Sequence, residues 1–316
     1  MPEQPVGCDQ PVGSDERLIL TPVILMASLF RGLRLSMPKF QAASLIPVIA
    51  MLYVGVIILL PALEVVAGAF AKGLAPFIEN FQSEELRSAV MLTLRCTAIA
   101  VPANTIFGLA AATAIARRQF RGKALLLSVI DLPFSISPVV VGLMLVLLYS
   151  PTNGLLGGVV SSLGWKIIFS WPGMALATII VTFPFMAREV IPLLEEEGWD
   201  QEEAARTLGA SNWQVFWKVT LPSVRWAVVY GLILTTARAL GEFGAVAVVS
   251  GNIAGQTQTL PLFVEDAYKQ YNTELAYGAA LVLASAGFVS LLLKLFVEQL
   301  IGGARKESVP ELESAS

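Results

Sequence analysis

The sequence predicts an all-α integral membrane fold with six spanning helices. Three observations predict it. The 316 residues are 55% hydrophobic and only 14% charged, and a soluble domain of this length needs more charge to cover its surface. Six apolar stretches, 46–70, 89–115, 124–149, 171–193, 227–250 and 276–300, each approach the ~20 residues that cross a bilayer as a helix. Positive charge is concentrated in alternate connections between them.

Inside hydrocarbon the backbone must satisfy its own hydrogen bonds, so each stretch is expected as a helix. Pro133 and Pro138 fall in the third and Pro184 and Pro192 in the fourth, and kinks are expected there because proline removes a backbone donor. Arg31, Arg34 and Lys39 precede the first span. Arg117, Arg118, Arg121 and Lys123 crowd the link between the second and third. Arg188, Arg206, Lys218 and Arg225 lie in or beside the link from fourth to fifth, and Arg305 and Lys306 follow the sixth. The other links hold only Lys72 and Arg87, then Lys166, then Lys269. With six helices, the four positive-rich segments share one side, so both termini and the 194–226 loop are expected in the cytoplasm.

The chain therefore divides into an N-terminal extension (1–45), a transmembrane domain (46–300) and a polar C-terminal tail (301–316). Residues 18–30 are apolar, but the run is too short to span and contains Pro22. The extension reads as disordered, with an interfacial helix as the alternative. The acidic residues before this run argue against a secretory signal, and Met37 stands as an alternative start. A net charge of −3 gives no case for nucleic-acid binding. No histidine is present, so no imidazole serves as a metal ligand or as a proton switch near neutral pH. Cys8 and Cys96 are expected as free thiols.

The 194–226 loop carries structure of its own. Asp200 is placed to cap a helix whose third residue is Glu203. Ala204 and Ala205 favour helix with little bulk, and Gly209 suits a left-handed helix end. Trp213, Phe216 and Val219 follow at three-residue spacing as an amphipathic stretch. A short smooth helix of this kind fits a groove on another protein; a surface helix lying along the membrane fits the same residues.

Glu203-Ala204-Ala205, three residues, Gly209, nine residues, Val219, one residue and Leu221-Pro222 resemble the EAA loop of ABC importer permeases. Val219 stands where that pattern usually has isoleucine. The resemblance extends over about 46–300 and is to the sulfate/thiosulfate W-type (CysW-type) permeases. It is carried by DLPFSISPVVVGLMLVLLYSPTNGLLG (131–157), FSWPGMALATIIVTFPFMARE (169–189) and ARALGEFGAVAVVSGNIAGQTQTLPL (237–262). The GEFG of 241–244 also occurs in molybdate and tungstate permeases. The N-terminal extension departs from the pattern.

The resemblance implies a six-helix type I ABC importer transmembrane domain. It implies that Glu203, Ala204, Ala205, Gly209, Leu221 and Pro222 belong to a coupling loop docked on an ATPase subunit. The partners implied are a homologous T-type permease, two ATP-binding subunits and an extracytoplasmic sulfate- or thiosulfate-binding protein. No phosphate-binding loop occurs in this chain. ATP and Mg are expected on the partner subunit, with no cofactor, metal or catalytic residue here.

Charges inside the apolar stretches are costly and need compensation. With the fifth helix starting near 227, Arg238 lies ~16 Å and Glu242 ~22 Å along it, on one face with Thr235. This pair either neutralises itself as a packing device or places Arg238 to attract an anion that Glu242 keeps from binding too tightly. Asp131, beside Pro133, caps a broken helix or faces the path. Ser135 and Ser137 either line that path or bond carbonyls freed at the prolines. Two other function classes, a stand-alone secondary transporter or channel and a membrane-embedded enzyme, lack a reason for the coupling loop or a catalytic set.

Overall fold

A computed structural model describes residues 39–71 and 73–307. The expectations for Cys8, the 18–30 run, Met37 and residues 308–316 lie outside the described residues. The chain divides into two compact units, 1–61 and 62–316. The described part of the first is the N-terminal stretch of α1 (Lys39–Ala69). Its large side chains are exposed, including Val48, Leu52, Ile57 and Leu60. An apolar helix with this exposure suits hydrocarbon or an apolar partner.

Among the described residues, every regular element of the second unit is a helix. After α2 (Leu74–Gln82), α3 (Glu84–Ala116) begins at Ser83, whose hydroxyl accepts from the Leu86 N–H, with Glu84 and Glu85 in the first turn. Both features offset the unpaired N–H groups and positive dipole of a helix start. Its buried residues Leu86, Ala89, Thr93, Ala100, Asn104, Gly108 and Ala112 recur at helical spacing and pack mainly on α7 (Trp171–Glu197). The helices approach closely: a Cβ on Gly108 would lie 2.8 Å from Met186, and one on Gly231 would lie 2.9 Å from the Met186 sulfur. Small residues of this kind let helices meet in a membrane.

The third apolar stretch is two helices, α4 (Lys123–Ser135) and α5 (Pro138–Tyr149), bent by 108°. Pro138 removes a donor and holds Ser137 out of the helical region, and Ile136 before it is extended, so the expected kink is a reversal of direction. After α6 (Gly157–Ser162) and α7 comes the loop with α8 (Asp200–Thr207), α9 (Asn212–Val215), a π-helical turn (Phe216–Thr220) and α10 (Leu221–Ser223). The chain bends by 72° into α11 (Arg225–Leu240). The fifth stretch is also broken: α11 stops at Leu240, and α12 (Gly244–Ser250) starts anew. Then follow α13 (Leu260–Lys269) and α14 (Thr273–Glu307). Among the described residues, four helices are long and apolar enough to cross a membrane, six if each bent pair is one span.

α12 packs on α5 and α7. A Cβ on Gly142 would fall 2.6 Å from the Ala245 carbonyl oxygen, and one on Gly244 would fall 3.0 Å from Pro138. The α11–α12 break therefore abuts the α4–α5 break.

Candidate functional site

The loop helix α8 is anchored by a residue outside the Glu203-Ala204-Ala205 pattern. Glu202 is 4% exposed. Its Oε1 accepts from Arg117 Nε at 2.9 Å and from the Thr220 hydroxyl at 2.9 Å. Arg117 Nη1 also donates to the Leu194 carbonyl at 2.7 Å, and Arg206 lies 3.7 Å from Glu202 Oε2. One carboxylate thus joins α3, the end of α7, α8 and the π-helical turn. Burial of this pair is tolerable because several donors surround the charge. Sequence reasoning missed it, since Arg117 is 85 positions away. The local signal was an acidic residue four before Arg206, on the side of α8 opposite Ala204.

Asp200 does not cap α8. Trp199 already has helical angles and occupies the cap position without a side-chain bond, so Asp200 lies inside the first turn. There Asp200, Glu202 and Glu203 face the positive helix end. Gly209 has φ +85° and completes a paired closure, with Gly209 N–H on the Arg206 carbonyl at 2.9 Å and Ala210 N–H on the Ala205 carbonyl at 3.1 Å. The capping box of the loop belongs to Ser211 and Gln214.

The Trp213, Phe216 and Val219 stripe is not the buried face. The π-helical turn shifts the register, so Val215 and Thr220 turn inward while Trp213 is 70% exposed. Glu203, Ala204 and Leu208 are exposed, Ala205 is half-buried, and Leu221 and Pro222 open α10. α8 is held from beneath and bare on top.

Arg238 Nη1 lies 2.6 Å from Glu242 Oε2, with the Glu242 side chain 1% exposed and that of Arg238 33%. The two are not on one continuous helix. Glu242 sits past the end of α11, and its Oε1 accepts the Ala245 N–H at 3.0 Å. The carboxylate thus satisfies a free N–H at the start of α12 while holding Arg238. Asp131 Oδ1 accepts from Arg188 Nε at 2.7 Å, and the guanidinium lies 4.4 Å from the Phe134 ring centroid.

Ser135 and Ser137 are exposed beside the break. The abutting breaks set Pro138, which follows Ser137, against Gly244, two residues past Glu242, and Asp131 lies one turn before Ser135. Thr235 is set apart: it is fully buried, and its hydroxyl has no hydrogen-bond partner among the described residues. Arg188, read from sequence only as a loop-side charge, joins this polar strip through Asp131. Among the described residues no cluster of three or more His, Cys, Asp or Glu side chains could hold a metal. Cys96 is a buried free thiol.

Apolar spanning helices, an anchored loop helix and charges paired at helix breaks define a multi-pass membrane subunit of a transport system. The family described as binding-protein-dependent transport system inner membrane component matches residues 104–302, and the chain belongs to it. It is 62% identical over 266 residues to "Sulfate transport system permease protein CysW" of Synechococcus elongatus, covering 83% of this chain and 93% of the relative. It is 37% identical over 247 residues to "Sulfate transport system permease protein CysT" of Escherichia coli K12, covering 78% and 87%. Among solved structures, a bacterial ABC transporter involved in import of the acidic polysaccharide alginate superposes with a TM-score of 0.67. That likeness has 18% identity and covers 85% of this chain and 96% of that one, and it is one of fold.

Proposed function

We propose that the chain is the W-type permease subunit of an ATP-driven sulfate/thiosulfate importer, passing the anion inward by alternating access. The observation that carries the transport role is the polar strip across the two abutting helix breaks. Charges exposed at that depth are too costly to face lipid, and a translocation path shared with a second permease gives them a setting. Arg238 draws the anion, and Glu242 keeps the site weak enough for release. Asp131, Ser135 and Ser137 continue the strip, and buried Thr235 supports α11 behind it.

The exposed top of α8, with Glu203, Ala204, Ala205 and Gly209, suits docking on an ATPase subunit, and Leu221 and Pro222 set the return into α11. ATP and Mg belong to two such subunits; this chain performs no bond chemistry. A homologous T-type permease and an extracytoplasmic binding protein complete the assembly. The charge asymmetry of the connections supports an inner-membrane location with both termini and the 194–226 loop cytoplasmic. The similarity to the CysW and CysT proteins supports sulfate as the substrate.

The test is sulfate uptake by the assembled importer in proteoliposomes, wild type against Arg238→Gln, with subunit assembly checked. Uptake falls at least about tenfold, which is ~1.4 kcal/mol; wild-type uptake would sink the path assignment. Thiosulfate competes in the same assay, and strong competition by low molybdate would move the substrate to molybdate or tungstate.

A further inference from the structure

Between α3 and the 194–226 loop lies an open groove of about 840 Å³. Its floor is α3 from Ile106 to its end, with Arg117 and Arg118 just beyond, and its wall is the loop segment from Trp199 to Thr220. Ten helical steps from Ile106 to Ala116 make its helical floor ~15 Å long. One leaflet of hydrocarbon is ~15 Å, half of the ~30 Å core, so the groove matches one leaflet and the start of its headgroup layer.

Its two ends differ in chemistry. Toward Ile106 and Leu109 the lining is apolar, and Ile106 is 66% exposed. Along the side stand Trp213, Phe216 and Trp217, with Trp213 and Trp217 ring centroids 5.4 Å apart and both rings exposed. Tryptophan favours the boundary between hydrocarbon and headgroup. At the other end are Arg117, Arg118 and Arg206 against one carboxylate, Glu202. Glu202 Oε1 is taken by Arg117 and Thr220, and Arg206 lies 3.7 Å from Oε2, so one carboxylate faces three arginines and leaves net positive charge at this end. Arg118 has no ion-pair or hydrogen-bond partner among the described residues and is exposed.

We infer that this groove binds one anionic phospholipid from the leaflet on the side of the 194–226 loop. Its phosphate sits at Arg118 and Arg206, and an acyl chain lies along α3 against Trp213. A protein segment that filled the groove would need acidic groups at the arginine end and apolar ones ~15 Å away, which is the layout of a lipid. The lipid wedges between α3 and the loop carrying α8, so lipid composition tunes how firmly that loop is held. The inference needs only the membrane placement of α3 and is independent of the transported anion.

The probe is phosphatidylglycerol, and the sample is the assembled importer. Each arginine that faces an anionic headgroup contributes about fivefold in affinity. Lipid extracted from the purified complex should therefore show phosphatidylglycerol retained by wild type and by Lys166→Gln and largely lost from Arg118→Gln/Arg206→Gln. Equal retention in all three overturns the inference. Equal loss of phosphatidylcholine from the double variant overturns the headgroup assignment.

Fluorescence needs no arginine variant to assemble. Chain-brominated phosphatidylglycerol should quench wild type more than Trp213→Phe, with a smaller difference for brominated phosphatidylcholine. Identical quenching of the two proteins means that another protein segment covers the groove, and the inference fails.

Discussion

Replacing Glu202 by alanine separates an anchored loop from one that merely lies against the helices. The Arg117 side chain is 9% exposed and would keep only the Leu194 carbonyl as acceptor. The Thr220 hydroxyl would lose its acceptor as well. Breaking a buried ion pair from one side costs about 3–5 kcal/mol, because the other charge is left uncompensated. Applied to the local opening of the loop, that shifts the equilibrium by about 10² to nearly 10⁴.

Hydrogen exchange of the assembled importer reads this directly at the amides of 200–210. Glu202→Gln keeps an acceptor for Thr220 and should show a smaller effect. Arg117→Leu/Glu202→Leu removes both charges and should regain most of the protection. An acceleration below about tenfold, ~1.4 kcal/mol, in Glu202→Ala would refute the claim that this carboxylate anchors α8.

Gly209→Ala places a β-carbon at φ +85°, where the surrounding space is open, so the loss is backbone strain alone. It should cost about 1–2 kcal/mol, read as faster exchange in the last turn of α8, with Gly209→Asn milder. Gly142→Val drives a side chain into the Ala245 carbonyl and should cost about 1–3 kcal/mol, seen as a lower melting temperature of the purified complex. Arg188→Gln should lose sulfate uptake whether residue 131 is Asp or Asn. Recovery in Asp131→Asn/Arg188→Gln would reduce that pair to a brace.

The helices were legible and their breaks were not. Hydropathy across 227–250 dips at Arg238 and Glu242, but a span-length window keeps the whole stretch apolar, so the dip reads as a charge pair on one helix and not as an interruption. The break arises because Glu242 bonds the Ala245 N–H, a side chain competing locally with the helix for a backbone donor. At the α4–α5 break Pro133 and Pro138 were visible, but the 108° turn depends on how α5 finds α12 through Gly142 and Gly244. The Glu203-Ala204-Ala205 spacing exposed the loop, and Gly209 behaves as its residue type suggests. Glu202 was silent because its meaning is Arg117, and contacts across 85 positions are not encoded in local pattern.

The two halves of the candidate site meet on one helix. Arg117 fastens the Leu194 carbonyl near the end of α7 and, through Glu202, the loop helix. Six residues earlier, ~9 Å along the same helix, Arg188 holds Asp131 on α4, which leads into Ser135, the break and the Glu242 segment. α8 and the polar strip are thus joined by a contiguous chain of packed and ion-paired contacts. Contiguity alone does not establish coupling. It does set a specific expectation: Glu202→Ala should lower uptake more than it lowers the ATPase activity of the assembled importer. A proportional fall in both would mean that the anchor supports only assembly.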